Sequence, residues 1–208
     1  MRKVKVKICG LRRQEDIAYA NALQPDFIGF VFYEKSKRAV TKEQALELKK
    51  QLDKNIKAVG VFVNAEKSFI AELVHLGAID MVQLHGDEDA LYCKSLREQL
   101  KVPIIKAVRV RDASSLEGLE NYAADYFLFD TFAPDAYGGT GKRFDLRLVD
   151  KINKPYFIAG GLETANVSEV IKNTQAFAVD VSGGVETAGL KDKEKMSAFI
   201  AQVRGDSK

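Results

Sequence analysis

Short apolar segments and helix-forming segments alternate along the whole chain, and this repetition limits the possible folds more than any other feature. In the first apolar segment, Val4, Val6 and Ile8 alternate with polar residues, as in a strand with one apolar face. Seven further apolar segments lie at residues 26–32, 56–63, 79–85, 104–110, 126–130, 156–159 and 177–182. Short apolar strands separated by helices predict a parallel sheet.

The number of these units decides between two parallel-sheet architectures. Eight strand–helix units in 208 residues give about 26 residues per unit, which predicts an α/β protein closed into a (β/α)₈ TIM barrel. A doubly wound open sheet is the alternative, but such sheets usually have about five or six strands. No linker or low-complexity stretch divides the chain, so we expect one barrel domain over residues 1–208.

The helical segments differ in how clearly the sequence marks them. Thr41 and Gln44 have the spacing of a capping box, which predicts that a helix begins there. A weaker helical pattern covers residues 115–122, and a short helix is expected after Asp145. The last helix carries apolar residues at helical spacing, Met196, Phe199, Ile200 and Val203.

Composition and charge exclude several classes of partner. The net charge is only +3, and the basic residues are spread through the chain, which argues against a nucleic-acid or membrane partner. The two cysteines, Cys9 and Cys93, are far apart and form no metal-binding pattern. There is no signal-peptide pattern and no apolar run long enough to span a bilayer. We therefore expect a cytoplasmic protein with reduced thiols and no bound metal.

A functional site in such a barrel is expected at the carboxyl ends of the strands. The polar residues and glycines at or just after those ends are Cys9, Arg38, Gln83, His85, Arg109, Asp130, Gly160, Gly161, Ser182, Gly183 and Gly184. One thiol, one carboxylate, one histidine, two arginines and two glycine pairs should thus meet on one rim.

The two late glycine pairs indicate a phosphate site. Gly160 and Gly161 end the seventh strand, and Gly183 and Gly184 end the eighth. Loops after these two strands often bind phosphate through backbone N–H groups, and glycine lets the backbone approach the anion. Either pair alone would suggest only a tight turn, whereas both together favour a phosphorylated small-molecule ligand.

The loop after the sixth strand contains Gly138, Gly139, Thr140 and Gly141. It does not match a phosphate-binding P-loop, because Ala136 and Arg143 stand where that pattern needs glycine and Ser or Thr. A long glycine-rich loop beside the site is typical of a mobile lid. A plain surface loop is the equally weighted alternative.

Cys9 is the candidate nucleophile or base, although a lone cysteine at a strand end is usually a small buried hydrophobe. It is in phase with Lys7, and a nearby cation would lower the pKa of the thiol. Since Lys7 should point into the barrel, it needs a partner. Asp180 on the adjacent eighth strand is predicted to form an ion pair with it. Cys93, inside a helix, is expected to be a core or surface residue without a function in the site.

The remaining candidate residues each allow more than one interpretation. Asp130 ends an apolar strand and serves either as a loop cap or in proton transfer. His85 is a ligand contact, a base or simply a hydrogen-bonding wall residue. Arg38 is either a solvated loop charge or, if its loop folds over the rim, a bidentate clamp for a carboxylate. His75, near a helix end, is given no function.

Six motifs follow one another along the chain: Lys7–Gly10, Gly29–Phe32 with Ser36 and Arg38, Gln83–Gly86, Gly138–Gly141, Ala159–Leu162 and Asp180–Glu186. Together they resemble the motifs of the phosphoribosylanthranilate isomerase family. Each motif alone is weak, but six in order over nearly the whole chain are specific. The resemblance implies a (β/α)₈ barrel of tryptophan biosynthesis that needs no metal or coenzyme, as a monomer or homodimer.

The resemblance also implies roles for individual residues. Asp130 would be the general acid that opens the ribose ring, and Cys9 the general base that removes the C2 proton. The substrate-binding residues would be Arg38, for the anthranilate carboxylate, and His85, Gly160, Gly161, Asp180, Ser182, Gly183 and Gly184. Lys7 and Gln83 would support the site, and the loop Gly138–Gly141 would close over it.

Two positions depart from the family pattern, and rival functions stay open. Gly183 replaces a usual serine, which removes one hydroxyl, and Leu146 stands where the family often has tryptophan. An indole-glycerol-phosphate synthase would need a site centred on lysine and glutamate, whereas the first strand ends in Cys9. A non-catalytic phosphoribosyl-ligand binder or a thiol redox sensor would not need both Asp130 and Arg38.

Overall fold

The structure is a computed structural model that describes residues 3–130, 149 and 152–205. Eight parallel strands follow one another around a barrel, which closes where the eighth strand pairs with the first. The strands are β1 (Lys5–Cys9), β2 (Phe27–Phe32), β3 (Lys57–Phe62), β4 (Met81–Leu84), β5 (Ile104–Arg109), β6 (Tyr126–Asp130), β7 (Tyr156–Ala159) and β8 (Ala178–Val181). The prediction of a closed (β/α)₈ barrel is therefore confirmed.

Six α-helices lie in the described part of the chain and cover the outside of the barrel. They are α1 (Gln14–Leu23), α2 (Lys42–Gln51), α3 (Lys67–His75), α4 (Ala90–Gln99), α5 (Val167–Lys172) and α6 (Lys193–Arg204). The capping box at the start of α2 is confirmed. The Gln44 backbone N–H donates to Thr41 Oγ1 at 3.2 Å, and the Thr41 N–H donates to Gln44 Oε1 at 2.9 Å.

The connection between β5 and β6 differs from the expected helix at residues 115–122. Two short 3₁₀ turns, Ala113–Leu116 and Leu119–Asn121, stand there instead. Gly118 separates them with a φ of 73°, a left-handed conformation that ends any helix. The helix expected after Asp145 lies outside the described residues.

The alternation along β1 decides what the barrel encloses. Val6 and Ile8 are fully buried between the sheet and the helices. Lys5, Lys7 and Cys9 occupy the opposite face and point into the barrel. One face of β1 therefore contributes polar side chains to the barrel interior, and its other face contributes apolar side chains to the core between the sheet and the helices.

The chain after β8 forms an element that the sequence did not predict. A 3₁₀ turn, Gly183–Val185, leads into an antiparallel ribbon of β9 (Glu186–Thr187) and β10 (Leu190–Lys191). Ala188 and Gly189 make its two-residue turn with φ values of 50° and 75°, as a tight hairpin requires. Across residues 3–130, 149 and 152–205, no helix has the length and hydrophobicity needed to cross a membrane.

Candidate active site

A cavity of about 700 Å³ opens at the carboxyl ends of the strands. Its lining includes most of the residues singled out from the sequence: Cys9, Arg38, Gln83, His85, Arg109, Asp130, Gly160, Gly161, Asp180, Ser182, Gly183 and Gly184. Lys7 lies beneath it in the barrel interior. The predicted lid residues, Gly138, Gly139, Thr140 and Gly141, lie outside the described residues, as does Leu146.

Lys7 and Asp180 form a buried ion pair beneath the cavity, which confirms the predicted contact. The two residues are register partners on β1 and β8, and Lys7 Nζ donates to Asp180 Oδ2 at 2.8 Å. Burial disfavours the Lys7 charge, but the Asp180 carboxylate and Cys9 outweigh burial and raise the lysine pKa. The ammonium therefore stays charged although its side chain has no exposed surface.

Cys9 is partly exposed at the end of β1, and Lys7 acts to lower its pKa as expected, but this effect does not decide the net direction. Lys7 and Lys191 do favour the thiolate, but burial acts more strongly in the opposite direction. The net result is a thiol pKa above its ordinary value of 9.0. The thiol is thus mainly protonated at neutral pH, and its thiolate is a correspondingly stronger base.

His85 connects the wall of the cavity to Asp130. Gln83 Nε2 lies 2.8 Å from His85 Nδ1, and the geometry fits a bond in which the amide donates to that nitrogen. The ring proton then lies on Nε2, which is 3.7 Å from Asp130 Oδ2. Asp130 itself ends β6 and is partly exposed to the cavity.

Arg38 reaches the cavity from the loop after β2, as predicted, but its guanidinium already has a protein partner. Its Nε and one Nη each donate to Glu186 at 2.6 Å, in a bidentate arrangement. Gly10 makes this path possible, because a Cβ there would lie 2.4 Å from Arg38 Cδ. The same glycine has a φ of 84°, which other residues rarely adopt.

The two glycine loops approach each other closely at the rim. A Cβ on Gly184 would lie 2.0 Å from the carbonyl oxygen of Leu162, so only glycine fits there. Ser182 Oγ donates to the carbonyl oxygen of Cys9 at 2.9 Å and joins the end of β8 to the end of β1. Both loops therefore present their backbone to one side of the cavity.

Sequence reasoning missed the functional neighbours of Arg38. Glu186 lies in a recognised motif but received no role, and Lys191 received none either. The one available signal was Gly189, which can mark a turn, but Ala188 before it is not among the residues that favour a two-residue hairpin turn. Within the described ranges, no group of three or more His, Cys, Asp or Glu side chains is arranged to hold a metal.

Comparisons with known proteins agree with this geometry. A family model described as N-(5'-phosphoribosyl)anthranilate (PRA) isomerase matches residues 6–202. The N-(5'-phosphoribosyl)anthranilate isomerase of Thermoanaerobacter pseudethanolicus is 47% identical over 204 residues, which cover 97% of this chain and 98% of that protein.

Solved structures of the same family superpose on the barrel. The phosphoribosyl anthranilate isomerase of Thermotoga maritima has a TM-score of 0.87 and 38% identity, covering 97% of this chain and 99% of that one. A second structure, in complex with reduced 1-(o-carboxyphenylamino)-1-deoxyribulose 5-phosphate, has a TM-score of 0.85 and 35% identity at the same coverage. The chain therefore belongs to the N-(5'-phosphoribosyl)anthranilate isomerase family.

Proposed function

We propose that this enzyme isomerises N-(5'-phosphoribosyl)anthranilate to 1-(2-carboxyphenylamino)-1-deoxyribulose 5-phosphate in tryptophan biosynthesis, with Cys9 as general base and Asp130 as general acid. The observation that carries the proposal is the single cavity lined by a thiol, a carboxyl group, an arginine and two glycine pairs. An aldose–ketose rearrangement of an anionic phosphosugar needs an acid, a base and anion-binding groups at the two ends of the substrate.

The first step is ring opening. Asp130 gives a proton to the ribose ring oxygen, and the bond from that oxygen to C1 breaks. The lone pair of the anthranilate nitrogen forms a C=N bond at the same time, which leaves a cationic iminium. His85, at 3.7 Å from the carboxyl of Asp130, supplies a polar neighbour for the carboxylate that remains.

The second step is proton removal from C2. The Cys9 thiolate takes this proton, and the C–H electron pair neutralises the iminium to give an enolamine. The enol O–H proton is then lost while C1 gains one, so the substrate and product have the same atoms. Because the iminium acidifies the C–H bond, a thiolate is a strong enough base.

Different hydrogen-bond donors would hold the two anionic groups of the substrate. Backbone N–H groups of Gly161, Gly183 and Gly184, with Gly160 and Ser182 beside them, suit the phosphate. The Arg38 guanidinium suits the anthranilate carboxylate. Asp180 Oδ1 is buried and accepts no hydrogen bond from the described residues, so it is available to a ribose hydroxyl.

Further expectations accompany this function and stay predictions. The loop containing Gly138 and Gly141 would close over the bound substrate. Residues 1–208 would form one domain that works without a cofactor in the cytoplasm, as a monomer or a homodimer. The Thermotoga maritima enzyme has been solved as monomers generated from a dimeric form.

A fluorescence assay tests the reaction and the base together. Anthranilate, phosphoribosyl pyrophosphate and an excess of a separate anthranilate phosphoribosyltransferase generate the labile substrate in place with release of pyrophosphate. The loss of substrate fluorescence is followed with and without the protein. We expect accelerated decay with the wild type and a rate about 10²–10⁴-fold lower for Cys9→Ser, the usual contribution of a general base. Cys93→Ala, at the second and buried cysteine, is the matched control and should retain activity.

The assay has two results that would contradict the proposal. Activity near wild type in Cys9→Ser would exclude this residue as the base. A folded wild type that does not accelerate the decay would exclude the isomerase reaction, and binding of a phosphosugar without this chemistry would become the better explanation of the cavity.

A further inference from the structure

The ribbon β9–β10 brings two charged side chains under the edge of the cavity. Glu186 and Lys191 are cross-strand partners, and their side chains are only 8% and 1% exposed. Lys191 Nζ donates to Glu186 Oε1 at 2.6 Å. Neither residue transfers a proton in the proposed reaction, and the effect of Lys191 on the Cys9 pKa does not explain why Glu186 is buried beside it.

Glu186 fixes the orientation of Arg38. Its two carboxylate oxygens accept hydrogen bonds from Nε and one Nη of the guanidinium. This bidentate contact fixes both the plane of the guanidinium and its position in the cavity. Among the described residues, Glu186 alone accepts hydrogen bonds from the Arg38 side chain, and Arg38 lines the cavity, so the other Nη is available to a ligand there. Without an anchor, a flexible arginine in a loop would lose side-chain entropy on each binding event.

Lys191 links Glu186, through hydrogen bonds, to the strands that carry the rest of the site. Its ammonium donates to the Ser182 carbonyl oxygen at 3.0 Å and lies 3.3 Å from Ser182 Oγ. Ser182 Oγ in turn donates to the carbonyl oxygen of Cys9. A continuous chain of hydrogen bonds therefore runs from the Arg38 guanidinium to the ends of β8 and β1.

The charges of Arg38, Glu186 and Lys191 strengthen the hydrogen bonds between them. Burial opposes ionisation of Glu186, but the bonds from Arg38 and Lys191 outweigh it and lower the carboxyl pKa to about 2. The carboxylate is therefore ionised at any physiological pH, held between two cations.

We propose that Glu186 and Lys191 are positioning residues that hold Arg38 ready for an aromatic carboxylate, and so make the enzyme selective for a substrate that carries this group. This inference rests on the proposed function, because it concerns how the same cavity recognises one end of the substrate. The two residues act on the substrate through Arg38 and do not touch the reacting atoms, although the charge of Lys191 also favours the Cys9 thiolate.

Two ligands separate positioning from general structural support. One is reduced 1-(o-carboxyphenylamino)-1-deoxyribulose 5-phosphate, and the other is its phenylamino counterpart without the carboxylate. The dissociation constants of both are measured by calorimetry. We expect Glu186→Gln to weaken the carboxylate ligand about tenfold and the other ligand by less than about twofold. Glu194→Gln and Lys193→Met, both exposed on α6, are matched controls that should change neither constant.

A double variant distinguishes loss of Arg38 positioning from loss of folding. Glu186→Gln leaves Lys191 buried without its carboxylate, which lowers stability. Glu186→Gln combined with Lys191→Met removes both buried charges and should recover the melting temperature. Arg38 still lacks its anchor in this double variant, so we expect the preference for the carboxylate ligand to stay weak. A preference that recovers together with stability would overturn the inference.

The results also distinguish this inference from the proposed function. A wild type that prefers the carboxylate ligand, with the same preference in Glu186→Gln, would overturn the positioning role alone. A wild type that binds neither ligand and does not accelerate substrate decay would overturn the proposed function, and the inference would fall with it.

Discussion

The two ends of the barrel interior are built from opposite kinds of side chain. At the amino end, Phe27, Tyr126, Phe157 and Phe177 pack with ring centroids 5.0–6.3 Å apart. The Lys5 ammonium lies over two of these rings, those of Phe27 and Phe177. At the carboxyl end, the interior positions carry thiol, carboxylate, amide and imidazole groups around an open cavity.

The difference shows that the carboxyl end, where the reaction is proposed, contributes less to the stability of the fold than the amino end. Two buried side-chain oxygens, Gln83 Oε1 and Asp180 Oδ1, accept no hydrogen bond from any described residue, and both are at the carboxyl end. An unsatisfied buried polar atom usually costs about 1–3 kcal/mol. The aromatic layer at the other end stabilises the same strands without exposing a polar group to the cavity. Mutations at the two ends should therefore affect different measurements.

Asp130→Asn is the change with the largest expected effect. The amide has nearly the same shape but cannot supply the proton, so we expect kcat/KM to fall about 10²–10⁴-fold at neutral pH. Thermal unfolding should change little. Glu120→Gln, at an exposed position on the β5–β6 connection, is the control and should keep full activity. Substantial turnover in Asp130→Asn would refute the acid role.

Lys7→Met should affect both rate and stability, because the buried pair with Asp180 links the two. Loss of the ammonium removes a group that favours the thiolate, so the Cys9 pKa rises further. Activity depends on the thiolate and increases with pH, so the pH profile of kcat/KM should move to higher pH. The unpaired Asp180 should also lower the free energy of unfolding by about 3–5 kcal/mol.

Lys106→Met provides a matched control for that shift. Lys106 forms another buried ion pair, with Glu88 at 2.9 Å, on the outer face of β5 and away from the cavity. We expect a similar loss of stability in urea unfolding but no displacement of the pH profile. Equal shifts in both variants would mean that the Lys7 effect is not electrostatic.

Phe157→Ala tests the amino end directly. Phe157 is fully buried and contacts three of the other rings, so its removal should lower the free energy of unfolding by about 3–5 kcal/mol. The kcat of the folded fraction should stay close to wild type. A large loss of kcat at unchanged stability would show that the two ends are not separable.

Lys5→Met should have the smallest effect. Its ammonium lies 5.5 Å and 5.0 Å from the ring centroids of Phe27 and Phe177, a contact worth up to about 1 kcal/mol. We expect a slight loss of stability in urea unfolding and no change in the pH profile. A profile that moves as far as in Lys7→Met would contradict the contrast between the two ends.

Much of the fold followed from local sequence patterns, and most differences have a local cause. The sixth and seventh strands match their predicted bounds, and the others differ by one or two residues at an end. The helix expected near residues 115–122 failed because Gly118 adopts a left-handed conformation that periodicity does not report. The ribbon after β8 was missed because each of its strands has only two residues, too short for an alternating pattern.

The candidate site was predictable in its members but not in its energetics. The carboxyl ends of the strands identified Cys9, His85, Asp130 and the glycine pairs, because a closed parallel barrel brings all strand ends to one rim. The pKa of Cys9 was not predictable. It depends on how far burial, which raises the pKa, outweighs the charges of Lys7 and Lys191, which lower it. Burial is a property of the packed molecule.

The sequence by itself determined the eight-unit barrel, the rim on which the site lies and the pairing of Lys7 with Asp180. These depend on strand order and on the alternation of side chains, both of which are local or follow from closure of the sheet. Only the tertiary structure decided that Arg38 is held by Glu186, 148 positions away along the chain, and that Lys191 supports this contact. Such contacts depend on where a loop and a ribbon come to lie against each other, which no local pattern encodes.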